Sequence, residues 1–279
     1  MATESRYSFA TLHNCLRVTG TLVAQTALRI GAGRSSEVTG TDLPVLRDAR
    51  GRPLIPGASI KGTLRSRLEA LVRVVNEQEA LDLSDLEMWQ RTQIMPLKED
   101  PELKHDDRAL SRAIWQHSSL IDLTFGAQWT ASRVFVRDAL VDSSLWFGQY
   151  EVRNGVGIDR DTETASDGLL YDYEVVPAGT RFTFALVAEN MADWQLGMLV
   201  LSLAPWVQGE AQVGGFRSRG LGYVCLEEPS YSFTRVTNAA DVINLLDGAG
   251  GSPMTEAQRT AWIAAFKVAL EDPQSVKEL

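Results

Sequence analysis

At 279 residues, 44% of them hydrophobic, and with a formal net charge of −9, the chain has the make-up of one elaborated globular domain with a sizeable core. Two cysteines, Cys15 and Cys225, with no CxxC pair, argue against a disulfide framework or a zinc site. Three scattered histidines (His13, His105, His117) argue against a His-rich metal centre, and a reducing cytoplasm is the expected compartment. The most apolar stretch, residues 196–207, is too short to span a bilayer, so no membrane association is expected; MATESRYS lacks the pattern of a secretory signal.

The net acidity hides a segregation of charge. Residues 1–75 carry a net of +6, while residues 76–118 and 143–190 each carry −5. Charges more than a Debye length apart are largely screened, so the basic region can present a local anion-binding face. An unevenly charged solvated surface would give the same count.

In chain order, residues 14–24 alternate Leu16, Val18, Gly20 and Leu22 with polar neighbours and predict a strand with one buried face. Residues 30–56 form a long glycine- and proline-punctuated loop, a length that in a compact domain points to function or disorder. Residues 58–75 predict a helix with Ile60, Leu64, Leu68, Leu71, Val72 and Val75 as its buried stripe and Lys61 and Arg65 off it. Residues 76–118 read as a charged, partly helical, lid-like insertion. Strand character returns at 132–141, a protruding hairpin is expected within 143–180, and a strand at 181–189. An apolar helix at 192–207 and a last strand at 221–227 follow. A C-terminal helix begins at a capping box, Thr255 with Gln258, and continues through Trp262, Phe266 and Leu270. The resulting β-α-β-β-α-β order is that of an α+β, ferredoxin-like fold, the scaffold of the common RNA-recognition module, although its RNP1 aromatic pattern is missing. The boundaries expected are a domain over residues 1–230 and a helical extension over 231–279.

Two stretches carry chemistry. LIPGASIKGTLR (residues 54–65) places Ser59, Lys61 and Arg65 in the first turns of a helix, where free amides and the dipole favour a phosphate. GGFRSRGLG (residues 214–222) combines glycines that let a backbone approach closely with Arg217 and Arg219. A solvated helix face and a flexible connection are the plainer alternatives. Neither stretch is a Walker loop or a dinucleotide fingerprint. Asp42 stands between the two as a lone aspartate; alone it reads as a turn residue, with Asp48 the nearby carboxylate that could pair with it. DRDTET (159–164) lacks the Gly and Glu of a calcium loop. Trp146, Phe147 and Tyr150 suit either base stacking or the core, and Cys15 and Cys225 read as buried free thiols.

Taken together, LRIGAG, TDLPVLRD, LIPGASIKGTLR, TFGAQWTASRVFVRDA, GVGIDRDT with VVPAGTRFTF, and GGFRSRGLG, in this order over residues 14–228, resemble the RAMP superfamily of CRISPR RNA-binding proteins. The likeness is strongest to backbone subunits of type III effector complexes. It implies a ferredoxin-like RAMP domain with a thumb-like hairpin, binding crRNA and complementary target RNA beside further copies of itself and other type III subunits. Arg34, Ser59, Lys61, Arg65, Arg160, Gly214, Gly215, Arg217, Arg219 and Gly220 are then the RNA-binding residues. Asp42 is the implied catalytic residue of a target-RNA endoribonuclease and the ligand of Mg²⁺ or another divalent metal. Two positions depart from the family pattern: Leu43 replaces a small polar residue and Arg29 a histidine. The resemblance leaves two alternatives: the same subunit as a structural clamp without cleavage, or a guide-RNA-processing endoribonuclease, for which His13 would have to serve.

Overall fold

The computed structural model describes residues 9–34, 40–158, 161, 165–248 and 251–277. Its strands are β1 (Asn14–Ala24), β2 (Leu54–Ile55), β3 (Val134–Val136), β4 (Ala139–Leu140), β5 (Glu151–Ile158), β6 (Ala165–Val175), β7 (Arg181–Glu189), β8 (Ala211–Gln212), β9 (Tyr223–Arg235) and β10 (Ser252–Pro253). The helices are α1 (Gly57–Val75), α2 (Leu83–Trp89), α3 (Met95–Glu99), α4 (Asp107–Gln116), α5 (Leu120–Phe125), α6 (Asp193–Val207), α7 (Ala239–Leu246), α8 (Glu256–Glu271) and α9 (Pro273–Lys277).

The main sheet runs β10-β9-β1-β7-β3, antiparallel throughout, with β8 paired to β9. The four strands of the β-α-β-β-α-β pattern therefore lie in the order fourth, first, third, second. That is the ferredoxin-like α+β arrangement the sequence predicted. The period-2 pattern of β1 buries Leu16, Val18 and Leu22, and that of β7 buries Phe182, Phe184, Leu186 and Ala188; both are antiparallel strands with one core face. α1 and α6 cover that face. α6 is apolar on nearly all sides because it is enclosed twice, by the sheet and by α8, whose Trp262, Phe266 and Ala269 join the same core. Gly197 marks that contact: a Cβ there would lie 2.0 Å from the Trp262 carbonyl oxygen.

Several expectations shift. The buried α1 stripe is Ile60, Leu64, Leu68 and Val72, at i, i+4 spacing, whereas Leu71 (54%) and Val75 (59%), expected in it, are exposed. A row of side chains at i, i+4 rotates slowly around a helix, so residues beside the row turn outward in the last turns. The predicted 132–141 strand is split into β3 and β4, and β4 pairs with β2 outside the main sheet. The last strand runs on to Arg235, so position 230 falls inside β9. It bends at a register shift opposite Thr19–Thr21, where a Cβ on Gly20 would lie 2.9 Å from the Glu227 carbonyl oxygen. Cys15 is buried, but Cys225 is only half-buried. Residues 76–118 are mostly helical, and β5 and β6 form the hairpin expected within 143–180.

Candidate nucleic-acid interface

The segment Leu28–Arg34 folds back against Leu43–Arg47, with Leu46 N–H donating to the Ile30 carbonyl at 2.7 Å and Ala32 N–H to that of Pro44 at 3.1 Å. This pair is stitched to the base of the hairpin. Leu28 and Val176 exchange backbone bonds of 2.9 and 2.7 Å, Leu43 N–H donates to the Asp172 carbonyl, and Glu174 N–H donates to that of Leu43. Glu174 locks the strap further, accepting from Val45 N–H at 3.1 Å and, with both carboxylate oxygens, from Arg47 Nη2 at 2.8 and 2.7 Å.

Asp42 sits at the start of this strap, exposed to solvent. Its Oδ2 accepts the Asp172 N–H at 3.1 Å, and Oδ1 has no protein partner among the described residues. Asp48, six residues further along the loop, is committed to a turn. Its oxygens accept from Arg50 N–H, Arg52 N–H and the Arg52 guanidinium, and these bonds, those to Arg52 first, hold its carboxyl below the usual range. Among the described residues no three His, Cys, Asp or Glu side chains cluster as a metal cage. Asp42 fits one coordination position of a hard divalent cation such as Mg²⁺, which characteristically takes one or two carboxylates and completes its octahedron with phosphate oxygens and water.

The glycine loop packs on the other side of β6. Gly215 N–H donates to the Arg29 carbonyl at 2.8 Å, and Gly214 adopts φ +88°, where a Cβ would meet that same oxygen at 2.3 Å. Phe216 is left-handed, with φ +59°, an arrangement a bulky residue rarely keeps without support. The support is aromatic and cationic: Tyr173 stands edge-on at 4.8 Å, and the Arg29 and Arg219 guanidinium carbons lie 4.9 and 4.8 Å from the ring centre. Arg217 and Arg219 are exposed, and Arg219 donates to the Tyr171 hydroxyl.

The helix residues form a second patch. Gly57 lies so close to β3 that a Cβ would come within 2.1 Å of the Val136 carbonyl oxygen, and its N–H donates to Asp138 at 2.8 Å. Ser59 is half-buried in the first turn. Lys61 Nζ donates to Ser132 Oγ at 2.6 Å; burial first, then Arg65, pulls its ammonium below the ordinary lysine range. Arg65 is engaged within the protein, donating to Glu69 at 2.7 Å, to the Gly126 carbonyl at 2.6 Å and to the buried Asp122 at 2.8 Å.

The structure thus brings Asp42 and the loop that holds Gly214, Gly215, Arg217, Arg219 and Gly220 around β6, while Arg34 is exposed just beyond the paired part of the strap. No hydrogen bond or ion pair joins them to Ser59, Lys61 or Arg65 among the described residues, and Arg160 lies outside those residues. Sequence reasoning missed Tyr171, Asp172, Tyr173 and Glu174. Their alternation in YDYE was the available signal: tyrosines on one face of a strand, carboxylates on the other.

A ferredoxin-like sheet carries a strapped hairpin with an arginine-bearing glycine loop packed beside it. The chain belongs to the RAMP superfamily, whose model matches residues 21–225. Among its relatives is the CRISPR system Cms endoribonuclease Csm3 of Methanocaldococcus jannaschii, 27% identical over 231 residues, which cover 77% of this chain and 79% of that protein. Proteins of the same name match over shorter segments. That of Methanothermobacter thermautotrophicus is 48% identical over 62 residues (21% of this chain, 25% of the relative), and that of Mycobacterium tuberculosis 41% over 75 residues (23% and 32%). No helix among the described residues is long and apolar enough to cross a membrane.

Proposed function

We propose that this chain is a backbone subunit of a type III CRISPR ribonucleoprotein, which holds guide RNA and cuts complementary target RNA at Asp42, beside further copies of itself and other subunits of the complex. The observation that carries this reading is the placement of Asp42. It is an exposed carboxylate pinned by one amide to the foot of a hairpin, with the arginine-bearing glycine loop packed on the same strand and one oxygen without a partner among the described residues. Lys61, Arg217 and Arg219 hold phosphates, the glycines of the loop let the RNA backbone approach, and the hairpin splays the target toward in-line geometry. The target's own 2′-OH attacks the adjacent phosphorus and the 5′-oxygen leaves. A nucleophile already tethered beside its electrophile removes much of the entropic barrier, so the protein needs no Ser, Cys or His nucleophile near Asp42. A divalent ion such as Mg²⁺ held by Asp42 would neutralise charge developing on the phosphate.

The test is cleavage by the assembled complex. Asp42→Ala and Asp42→Asn are expected to abolish cutting while guide and target binding stay within a few-fold of wild type. A single 2′-deoxy nucleotide 5′ to the cut should block that cut alone, and the products should end in a 2′,3′-cyclic phosphate and a 5′-OH. Wild-type cutting by the Asp42 variants would leave the subunit a structural clamp, and a 3′-OH product end would refute the internal nucleophile.

A further inference from the structure

Arg29 is 9% exposed, and its Nε is enclosed with no hydrogen-bond partner. No hydrogen bond or ion pair from either of its Nη atoms occurs among the described residues. Its neighbours are rings: Phe216 beneath it, then Tyr173 and Tyr171, whose centroids lie 6.2 Å apart. Arg219 shares the Phe216 ring, and no described carboxylate pairs with either guanidinium. A cation buried without an acceptor is strongly disfavoured, and aromatic faces offset only part of that. Burial accordingly pulls the Arg29 guanidinium below its usual range. An incoming anion would correct the imbalance.

The way in is framed by glycines from both of the loops described above. A Cβ at Gly31 would lie 2.9 Å from Arg29 Nη1 and 3.2 Å from Nη2, and one at Gly215 would lie 3.4 Å from Nη1. Gly31 itself is exposed. With no side chains at these two positions, the planar fork of the guanidinium stays reachable, and that fork matches two oxygens of one phosphate.

The seat also faces the strand that holds Asp42. Tyr171 and Tyr173 project from β6 toward Phe216 and the arginines. Asp172 and Glu174, between and beside them, present the N–H that binds Asp42 and the carboxylate that binds the strap. We propose that Arg29 seats one phosphodiester of the bound RNA, and that the occupied seat positions Asp42 by fixing β6 between the glycine loop and the strap. Arg29 is then a positioning residue, acting through β6 without touching the reacting atoms. The inference rests on the RNA-cleaving function proposed above.

The experiment compares the wild-type complex, carrying a single-stranded guide RNA and its complementary target, with Arg29→Gln, Arg29→Lys and Gly31→Val. Arg29→Gln should lower the slope of log affinity against log salt by about 0.7, the value of one single-strand phosphate contact. It should also slow single-turnover cleavage at saturating RNA at least tenfold. Arg29→Lys should restore the salt slope but only part of the rate, because a lysine keeps the charge and loses the fork. Gly31→Val keeps the Arg29 charge but crowds the guanidinium and closes the approach to it, so it should reproduce the slope loss even if Arg29→Gln does not assemble. An unchanged slope in Arg29→Gln, or in Gly31→Val, overturns the seat. An unchanged saturated rate in Arg29→Gln overturns the positioning. If the wild-type complex itself neither binds nor cuts RNA, the fault lies with the proposed function.

Discussion

Lys61 and Arg65 sit one helical turn apart in the same motif, yet their surroundings assign them different work. Arg65 closes a network on the buried Asp122 carboxylate, whose side chain is 1% exposed. Removing one partner of such a pair leaves a buried charge uncompensated, so Arg65→Ala should cost about 3 kcal/mol, read in denaturant unfolding, the low end of the usual range because Arg65 is itself partly exposed. Among the described residues Lys61 bonds to Ser132 alone, so Lys61→Ala should leave stability within about 1 kcal/mol, the worth of a single hydrogen bond. It should lower the RNA salt slope by about 0.7. The two variants separate a tie within the protein from a phosphate contact, and equal effects on stability would contradict the assignment. The depressed ammonium adds a pH signature. As pH rises, Lys61 loses its proton before an ordinary surface lysine would, so its share of RNA affinity should fade first. Lys61→Arg should abolish that early loss, which a binding titration across alkaline pH will register.

At the scale of elements, the start of α1 depends on one missing methyl. Gly57 is pressed against β3, so Gly57→Ala must push the helix off the sheet edge, and a loss of about 1–3 kcal/mol is expected from overpacking, measured by thermal unfolding. RNA binding should fall with it, because Ser59 and Lys61 ride on the same first turn. The sequence announced this element clearly: a Pro-Gly start, an apolar i, i+4 row and cations off that row. The capping box at Thr255 and Gln258 was equally plain and is present, with bonds of 2.9 and 3.2 Å. What stayed hidden was lateral. The 30–56 loop looked structureless because its order comes from partners over a hundred residues away, Asp172 and Glu174, which no local pattern names. Asp48 looked equivalent to Asp42 until its turn bonds were visible. Arg29 looked like a mere departure from a family pattern, since burial without a partner is a property of the fold and not of a motif.

For the molecule as a whole, the extension beyond β9 is part of the same body. Lys277 Nζ and Glu79 Oε1 meet at 2.6 Å with both side chains 5% exposed, and Glu79 Oε2 also accepts the Leu120 N–H. This pair ties α9 to the insertion after α1. Lys277→Ala should therefore destabilise the protein by about 3–5 kcal/mol, as removing one member of a buried pair does, and a smaller loss than 1 kcal/mol in chemical denaturation would contradict the tie. The acidic insertion is thus tied to the C-terminal helices by a buried ion pair. The double enclosure of α6, by the sheet on one side and α8 on the other, has a consequence in time. Its backbone amides can meet solvent only when the whole fold opens, whereas β5 and β6 pair only with each other along most of their length and can open alone. In deuterium labelling, α6 therefore reports global opening, which bound RNA slows only by its overall stabilisation of the folded state. Any slowing that RNA brings to β6 can be read against it within a single sample.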